Sequence, residues 1–149
     1  IELLVRSQQG DISFLTNTTN TLYLNPDKEP VRIYFIARLY ELSNDSINAS
    51  MAYKKVLYQL PFMALAISDA TNYLSNHTKA QEAYNLLIDI LQVNPSIENQ
   101  LTYFKLCVKM GLVSYAEQTL LELKGKISSE EYSGYAKTID SLINQPNFK

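Results

Sequence analysis

The stretches AYKKVLYQLP (52–61) and LLIDILQVNP (86–95) both close on a proline, and Pro61 and Pro95 stand 34 residues apart. The match extends upstream. Ala49 precedes Ala83 by the same interval, Tyr53 precedes Leu87, Val56 precedes Ile90 and Leu57 precedes Leu91. Apolar residues in both stretches recur at the spacing of one helix face. Proline stops such a helix because it lacks an N–H and its ring meets the carbonyl one turn back. A helix that recurs with a fixed stop, at a period within about 20–50 residues, is the mark of stacked structural repeats.

Outward from these stretches the helical spacing persists. Stripes run through Ile33, Ile36, Ala37 and Tyr40, through Met63, Ile67, Ala70 and Leu74, and through Leu101, Phe104 and Val108. Further stripes run through Ala116, Leu120, Leu121 and Leu123, and through Tyr132, Tyr135, Ala136, Ile139 and Leu142. No segment sustains the alternation of a half-buried strand. The breaks have capping chemistry. SNDS (43–46) and SNHT (75–78) offer turn residues and N-caps, and NPS (94–96) offers Ser96. Gly111 suits a left-handed C-cap, and Ser128 with Glu131 reads as a capping box. The spacing predicts helices over 31–42, 46–60, 63–75, 79–93, 97–110, 113–124 and 129–143. Before them, Gly10-Asp11 separates two helices and NPDKEP (25–30) ends the second. Short connections make successive helices antiparallel.

Composition excludes several functions. The 13 basic and 15 acidic side chains are interspersed, and a net charge of −2 gives no footprint for nucleic acid or an anionic membrane. The longest uncharged run, Ile12 to Pro26, and the apolar run Val56 to Ser68 are both too short for a transmembrane helix. Cys107 is the single cysteine, so no internal disulfide forms; a cytoplasmic and a periplasmic setting both stay open. The start at Ile1 reads as an excised or processed segment, in which a targeting signal is not visible. Sequons beginning at Asn17, Asn44, Asn48 and Asn76 matter only in a eukaryotic secretory setting.

Catalytic motifs are largely excluded by counting. The closest glycines, Gly125 and Gly134, are too far apart for a phosphate-binding loop, a dinucleotide fingerprint or a nucleophile elbow. One histidine and one cysteine cannot build a His/Cys zinc site. His77 reads as a solvated turn residue in preference to a general base, and Cys107 as a buried core thiol in preference to a nucleophile. Glu130 and Glu131 suit a helix start, and Glu117 and Glu122 a solvated face. The expected protein is therefore not an enzyme and needs no cofactor or metal. The eleven tyrosines and many asparagines raise carbohydrate stacking, but Tyr40, Tyr53, Tyr132 and Tyr135 fall on packing stripes and read as core.

A 34-residue unit of two helices resembles the tetratricopeptide repeat family. In residues 30–63 the family's preferred bulky, apolar, small and aromatic positions hold Ile33, Ile36, Ala37, Tyr40, Ala49, Tyr53, Val56 and Pro61. In residues 64–97 they hold Ile67, Ala70, Thr71, Leu74, Ala83, Leu87, Ile90 and Pro95. Residues 98–128 diverge: Gly111, Ala116, Leu120 and Leu123 fit, while the first helix loses one residue and the closing proline is absent. Residues 1–29 are read as a degenerate repeat and 129–143 as a capping helix. The resemblance implies a single all-α domain, a right-handed superhelix (α-solenoid) of antiparallel helix pairs. Ala49, Ala83 and Ala116 then sit where paired helices approach most closely, and Tyr40, Tyr53 and Leu87 fill the space between pairs.

The same resemblance implies a concave groove that binds a peptide or a partner helix. The positions that face it hold Val31, Tyr34, Arg38 and Glu41, then Leu65, Ser68, Asn72 and Ser75, with Lys105 continuing the surface. Chaperone-binding family members clamp a C-terminal carboxylate with Lys and Asn where this chain has Tyr34 and Arg38, so that activity is not carried over. The groove reading expects Tyr34, Arg38 and Asn72 to contact the partner, and expects loss of Tyr34 and Arg38 to spare the fold. The expected function is a non-catalytic protein-interaction scaffold. The alternatives are an accessory domain of an enzyme or polysaccharide-export machine, and a homo-oligomerisation module.

Overall fold

The computed structural model describes residues 2–146, apart from the side chains of Leu3 and Pro26; Ile1 and residues 147–149 lie outside it. Among the described residues the fold is all helical. The helices are α1 (Glu2–Gln9), α2 (Ile12–Tyr23), α3 (Glu29–Leu42), α4 (Ser46–Gln59), α5 (Ala64–His77), α6 (Ala80–Val93), α7 (Ile97–Lys109), α8 (Val113–Leu123) and α9 (Ser129–Ile143). One turn of 3-10 helix, Pro26–Lys28, leads into α3. No helix among the described residues is long and apolar enough to cross a membrane.

Local chemistry sets these boundaries. The carboxylates of Asp11 and Asp45 accept the backbone N–H groups of Phe14 and Asn48, opening α2 and α4. Ser96 accepts from Asn99 N–H at α7, and Ser128 and Glu131 form the reciprocal capping box at α9. Gly10, Asn44 and Gly111 close α1, α3 and α7 with φ of 74°, 57° and 72°. At each, the following residue's N–H reaches back to Arg6, Tyr40 or Cys107 O, a double closure that uses up the helix's last carbonyls. Gly10 and Asn44 are themselves 34 residues apart. SNHT does not cap α6 as expected. The Thr78 hydroxyl instead donates to Leu74 O at 2.7 Å and finishes α5, and α6 starts after Lys79 without a side-chain cap. His77 is the last residue of α5, not a turn residue, and its ring stacks on Tyr73 with centroids 4.0 Å apart.

Each helix from α2 onward packs on its sequence neighbours, and α4 on α6, α5 on α7 and α7 on α9 also meet. The arrangement is repeat-like. Ala49, Ala83 and Ala116 have no exposed surface, and Tyr53, Leu87 and Leu120 follow each alanine at the same interval, buried beneath the same crossings. One apolar core runs from Leu15 to Leu106 and a smaller one gathers Phe104, Cys107, Ala116, Leu120 and Ile139; Tyr84 and Tyr103 touch both. The residue missing from the divergent repeat is lost ahead of its first helix. Residues 60–63 join α4 to α5, whereas residues 94–96 suffice between α6 and α7. The buried set Ala66, Thr71, Tyr73 and Leu74 on α5 therefore maps, 33 residues on, to Asn99, Phe104, Leu106 and Cys107 on α7.

The α3 stripe is rotated from its expected face. Tyr34, Phe35 and Ala37 are buried, Ile33 and Ile36 are half-buried, and Tyr40 is exposed rather than filling the space between pairs. The cause is non-local: the C-terminal end of α1 bonds to α3 and draws Tyr34 and Arg38 inward.

Candidate functional site

Of the nine expected groove residues, Tyr34, Arg38, Glu41, Ser68, Asn72 and Lys105 fall into two groups of three. Tyr34, Arg38 and Glu41 on α3 belong to internal networks. The Tyr34 hydroxyl donates to Asp69 Oδ2 at 2.6 Å and accepts from Gln8 Nε2 at 3.0 Å, so a fully buried ring ties α1, α3 and α5 together. Arg38 donates to Glu41 Oε2 at 2.6 Å and to the Ser7 carbonyl at 2.9 Å, and its side chain is 13% exposed. Glu41 Oε2 also accepts from the buried Tyr53 hydroxyl. Tyr34 therefore has no face to offer a partner, and the expectation that it is a contact residue is corrected. Arg38 is committed to α1 and α3.

Burial first, and then the hydrogen bond to a carboxylate, push the Tyr34 and Tyr53 phenols well above their ordinary range. An unfolded tyrosine loses its proton near pH 10, at about its ordinary value, while these two keep theirs. Above that pH the unfolded chain binds fewer protons than the folded one, so stability falls as pH rises. The denaturation midpoint should decline in alkali above about pH 10, and Tyr53→Phe should flatten the decline. A midpoint independent of pH in that range would contradict the buried phenol–carboxylate pairs.

Ser68, Asn72 and Lys105 behave differently. All three are exposed and line one cleft of ≈ 290 Å³ between α5 and α7. Asp69, Thr71 and Ser75 from α5, with Thr102, Leu106 and Lys109 from α7, complete its wall. Asn72 and Lys105 are 33 residues apart, the offset that the shortened linker imposes between these helices. Lys109 Nζ donates to Ser75 Oγ at 2.8 Å and to Asn76 Oδ1, which fixes its ammonium at one end. Lys105 has no hydrogen-bond or ion-pair partner among the described residues. Asp69, Thr71 and Lys109 were not expected in the site. Helical spacing alone carries the visible signal for Lys109, one turn beyond Lys105.

A second cleft lies between α6 and α8, lined by Tyr84, Tyr103, Tyr115, Gln118 and Glu122 among others. The Tyr84 and Tyr103 hydroxyls meet at 3.1 Å in its wall, and the Tyr115 ring is exposed.

No family model, curated protein or solved structure matches this chain. The functional reading therefore rests on the geometry. Among the described residues no three His, Cys, Asp or Glu side chains come together as a metal-binding group. Cys107 is buried and its thiol is pushed up by that burial, which disfavours the nucleophilic thiolate. His77 lies across the stack on Tyr73 with Nδ1 3.0 Å from Tyr73 O. The α5/α7 cleft brings two ammonium groups, hydroxyls and an amide together with the Asp69 carboxylate, a set that can hold a polar group with one net negative charge.

Proposed function

We propose that this chain is a non-catalytic interaction scaffold of the tetratricopeptide type, a solenoid of helix pairs whose first helices form a groove for an extended peptide segment of another protein. The observation that carries the reading is the convergence of Ser68, Asn72 and Lys105 in one cleft, from matching places on α5 and α7, with none of them in the apolar core. Exposed polar side chains at repeated places, backed by a buried alanine and leucine framework, leave the face free to vary without cost to the fold. The groove is confined to α5 and α7, since α3 turns its matching residues inward.

A peptide-display selection tests this. The selected peptide should perturb amide resonances of α5 and α7. Asn72→Ala with Lys105→Ala should lose the peptide while melting unchanged, at a cost of about 2 kcal/mol or more if the pair includes a hot spot. Lys55→Glu on exposed α4 surface should keep it. The reading fails if no peptide is selected, or if Lys55→Glu releases the peptide and the double variant retains it.

The second reading, an accessory domain that touches glycan, draws on the α6/α8 cleft. Its exposed Tyr115 ring stands beside the Gln118–Glu122 pair, an aromatic platform flanked by amide and carboxylate. Resonance shifts at Tyr115 with neutral oligosaccharide, and none at Asn72 with peptide, would favour it.

A further inference from the structure

We infer that the α5/α7 cleft is a subsite for a phosphate monoester, carried on a phosphorylated side chain of the bound segment. This deepens the peptide-groove reading and rests on it for the source of the phosphoryl group. Three observations lead there.

The first is charge. Lys105 and Lys109 stand one turn apart on α7 and line the same cleft. Lys109 is fixed by Ser75 and Asn76, and Lys105 is uncommitted among the described residues. With the Asp69 carboxylate in the same wall, the two ammonium groups leave one net positive charge, which matches a phosphoryl group that has kept one proton.

The second is Thr71. It is 3% exposed, it lines the cleft, and its Oγ1 has no hydrogen-bond partner among the described residues. A helical threonine ordinarily satisfies its hydroxyl on the carbonyl one turn back, as Thr102 does on Glu98 O and Thr119 on Tyr115 O. Thr71 does not. A buried hydroxyl left unpaired is costly, and rotation of the side chain toward the cleft would let an oxyanion there satisfy it. Thr19 Oγ1, Arg38 Nε, Asn99 Oδ1 and Gln100 Oε1 are also unpaired, but none of them lines this cleft.

The third is Asp69. Its Oδ2 accepts from both Tyr34 and Gln8, while Oδ1 has no partner among the described residues, and the residue lines the cleft. A carboxylate beside two lysines repels a fully ionised oxyanion. It accepts from an oxyanion that still carries a proton. A phosphomonoester has its second pKa near 6 and retains a P–OH there. Sulfate carries no proton near neutrality and has nothing to donate. The donors Lys105, Lys109, Ser68, Asn72 and Thr71, with Asp69 as acceptor, therefore favour phosphate over sulfate.

The test is an amide NMR titration of the whole chain near pH 6, where a phosphomonoester is about half protonated. The probes are inorganic phosphate, inorganic sulfate, and one selected peptide with and without a phosphoserine. Phosphate and the phosphopeptide should shift α5 and α7 resonances, and sulfate should not. Lys105→Met should weaken phosphate roughly tenfold or more, the loss of one charge-assisted bond. Asp69→Asn should admit sulfate. Thr71→Val gives opposite signs in two readouts: the folded protein becomes more resistant to denaturant because an unpaired hydroxyl is removed, and phosphate binds more weakly. Equal shifts from sulfate and phosphate, or a Thr71→Val protein that binds phosphate at full strength, would overturn the subsite. Shifts from the unphosphorylated peptide alone would overturn it and leave the peptide groove standing. Shifts from phosphate but from neither peptide would support the subsite and overturn the groove.

Discussion

Replacing Tyr34 and Arg38 together by alanine should destabilise the fold severely, and should not yield a folded protein that merely fails to bind. Truncating a fully buried aromatic ring costs about 3–5 kcal/mol, against a total stability of about 5–15 kcal/mol for a domain. The Tyr34 ring is wholly buried, packed 5.2 Å from Phe35 between ring centroids, so its loss leaves a cavity among α1, α3 and α5. The same change strips Asp69 Oδ2 of its 2.6 Å donor. Arg38→Ala adds the loss of the bond that holds the Ser7 carbonyl and of the ion pair to Glu41. Glu41 would then keep only Tyr53 as its partner in this network. The two sites share α1 and α3, so their effects should not simply add. Chemical denaturation of the single and double variants measures this. Tyr34→Phe, which keeps the ring, should lose about 1–3 kcal/mol, the cost of a hydrogen bond broken beside a buried acceptor. A double variant with wild-type midpoint and an intact helical spectrum would mean that Tyr34 lies on the surface after all.

That expectation reverses the one drawn from the sequence, and the reason marks the limit of a local reading. Helix ends were legible because their chemistry is local. Asp45, Ser96, the Ser128–Glu131 box and Gly111 each act within one turn of the boundary they set. The buried alanines were legible because steric crowding recurs at a fixed interval. Which side of α3 faces inward depends on Ser7 and Gln8 of α1 and on Asp69 of α5, at sequence separations of 31, 26 and 35. No periodicity within α3 encodes those contacts. SNHT failed for a related reason: Thr78 can bond forward as an N-cap or back to Leu74 O, and the same residues serve both. No such tie engages the side chains of Ser68, Asn72 or Lys105, and these three lie together in one cleft. The Thr71 and Asp69 contributions escaped because one is a hydroxyl without a partner and the other a carboxylate half used, and neither property is written in residue type.

Ala83→Leu should lower the denaturation midpoint far more than Gln81→Leu, two residues earlier on α6. Ala83 has no exposed surface and sits in the core that spans Leu15 to Leu106. An isobutyl group in place of its methyl must displace neighbours or leave its preferred rotamer, at a cost of about 1–3 kcal/mol. Gln81 is exposed and spends its amide on Asn85 at 2.9 Å. Losing that pair costs a few tenths of a kcal/mol, roughly, and leucine's helix propensity returns part of it. Exposed substitutions of this kind stay within about 0.5 kcal/mol. The comparison isolates crowding, because both variants add the same side chain to the same helix. Ala49→Leu and Ala116→Leu should behave like Ala83→Leu, since all three alanines are fully buried at matching places on α4, α6 and α8. Equal midpoints for Ala83→Leu and Gln81→Leu would show that the alanines recur without a packing requirement. The 34-residue interval between Ala49 and Ala83 would then lose its physical basis, and with it the repeat on which the proposed groove rests.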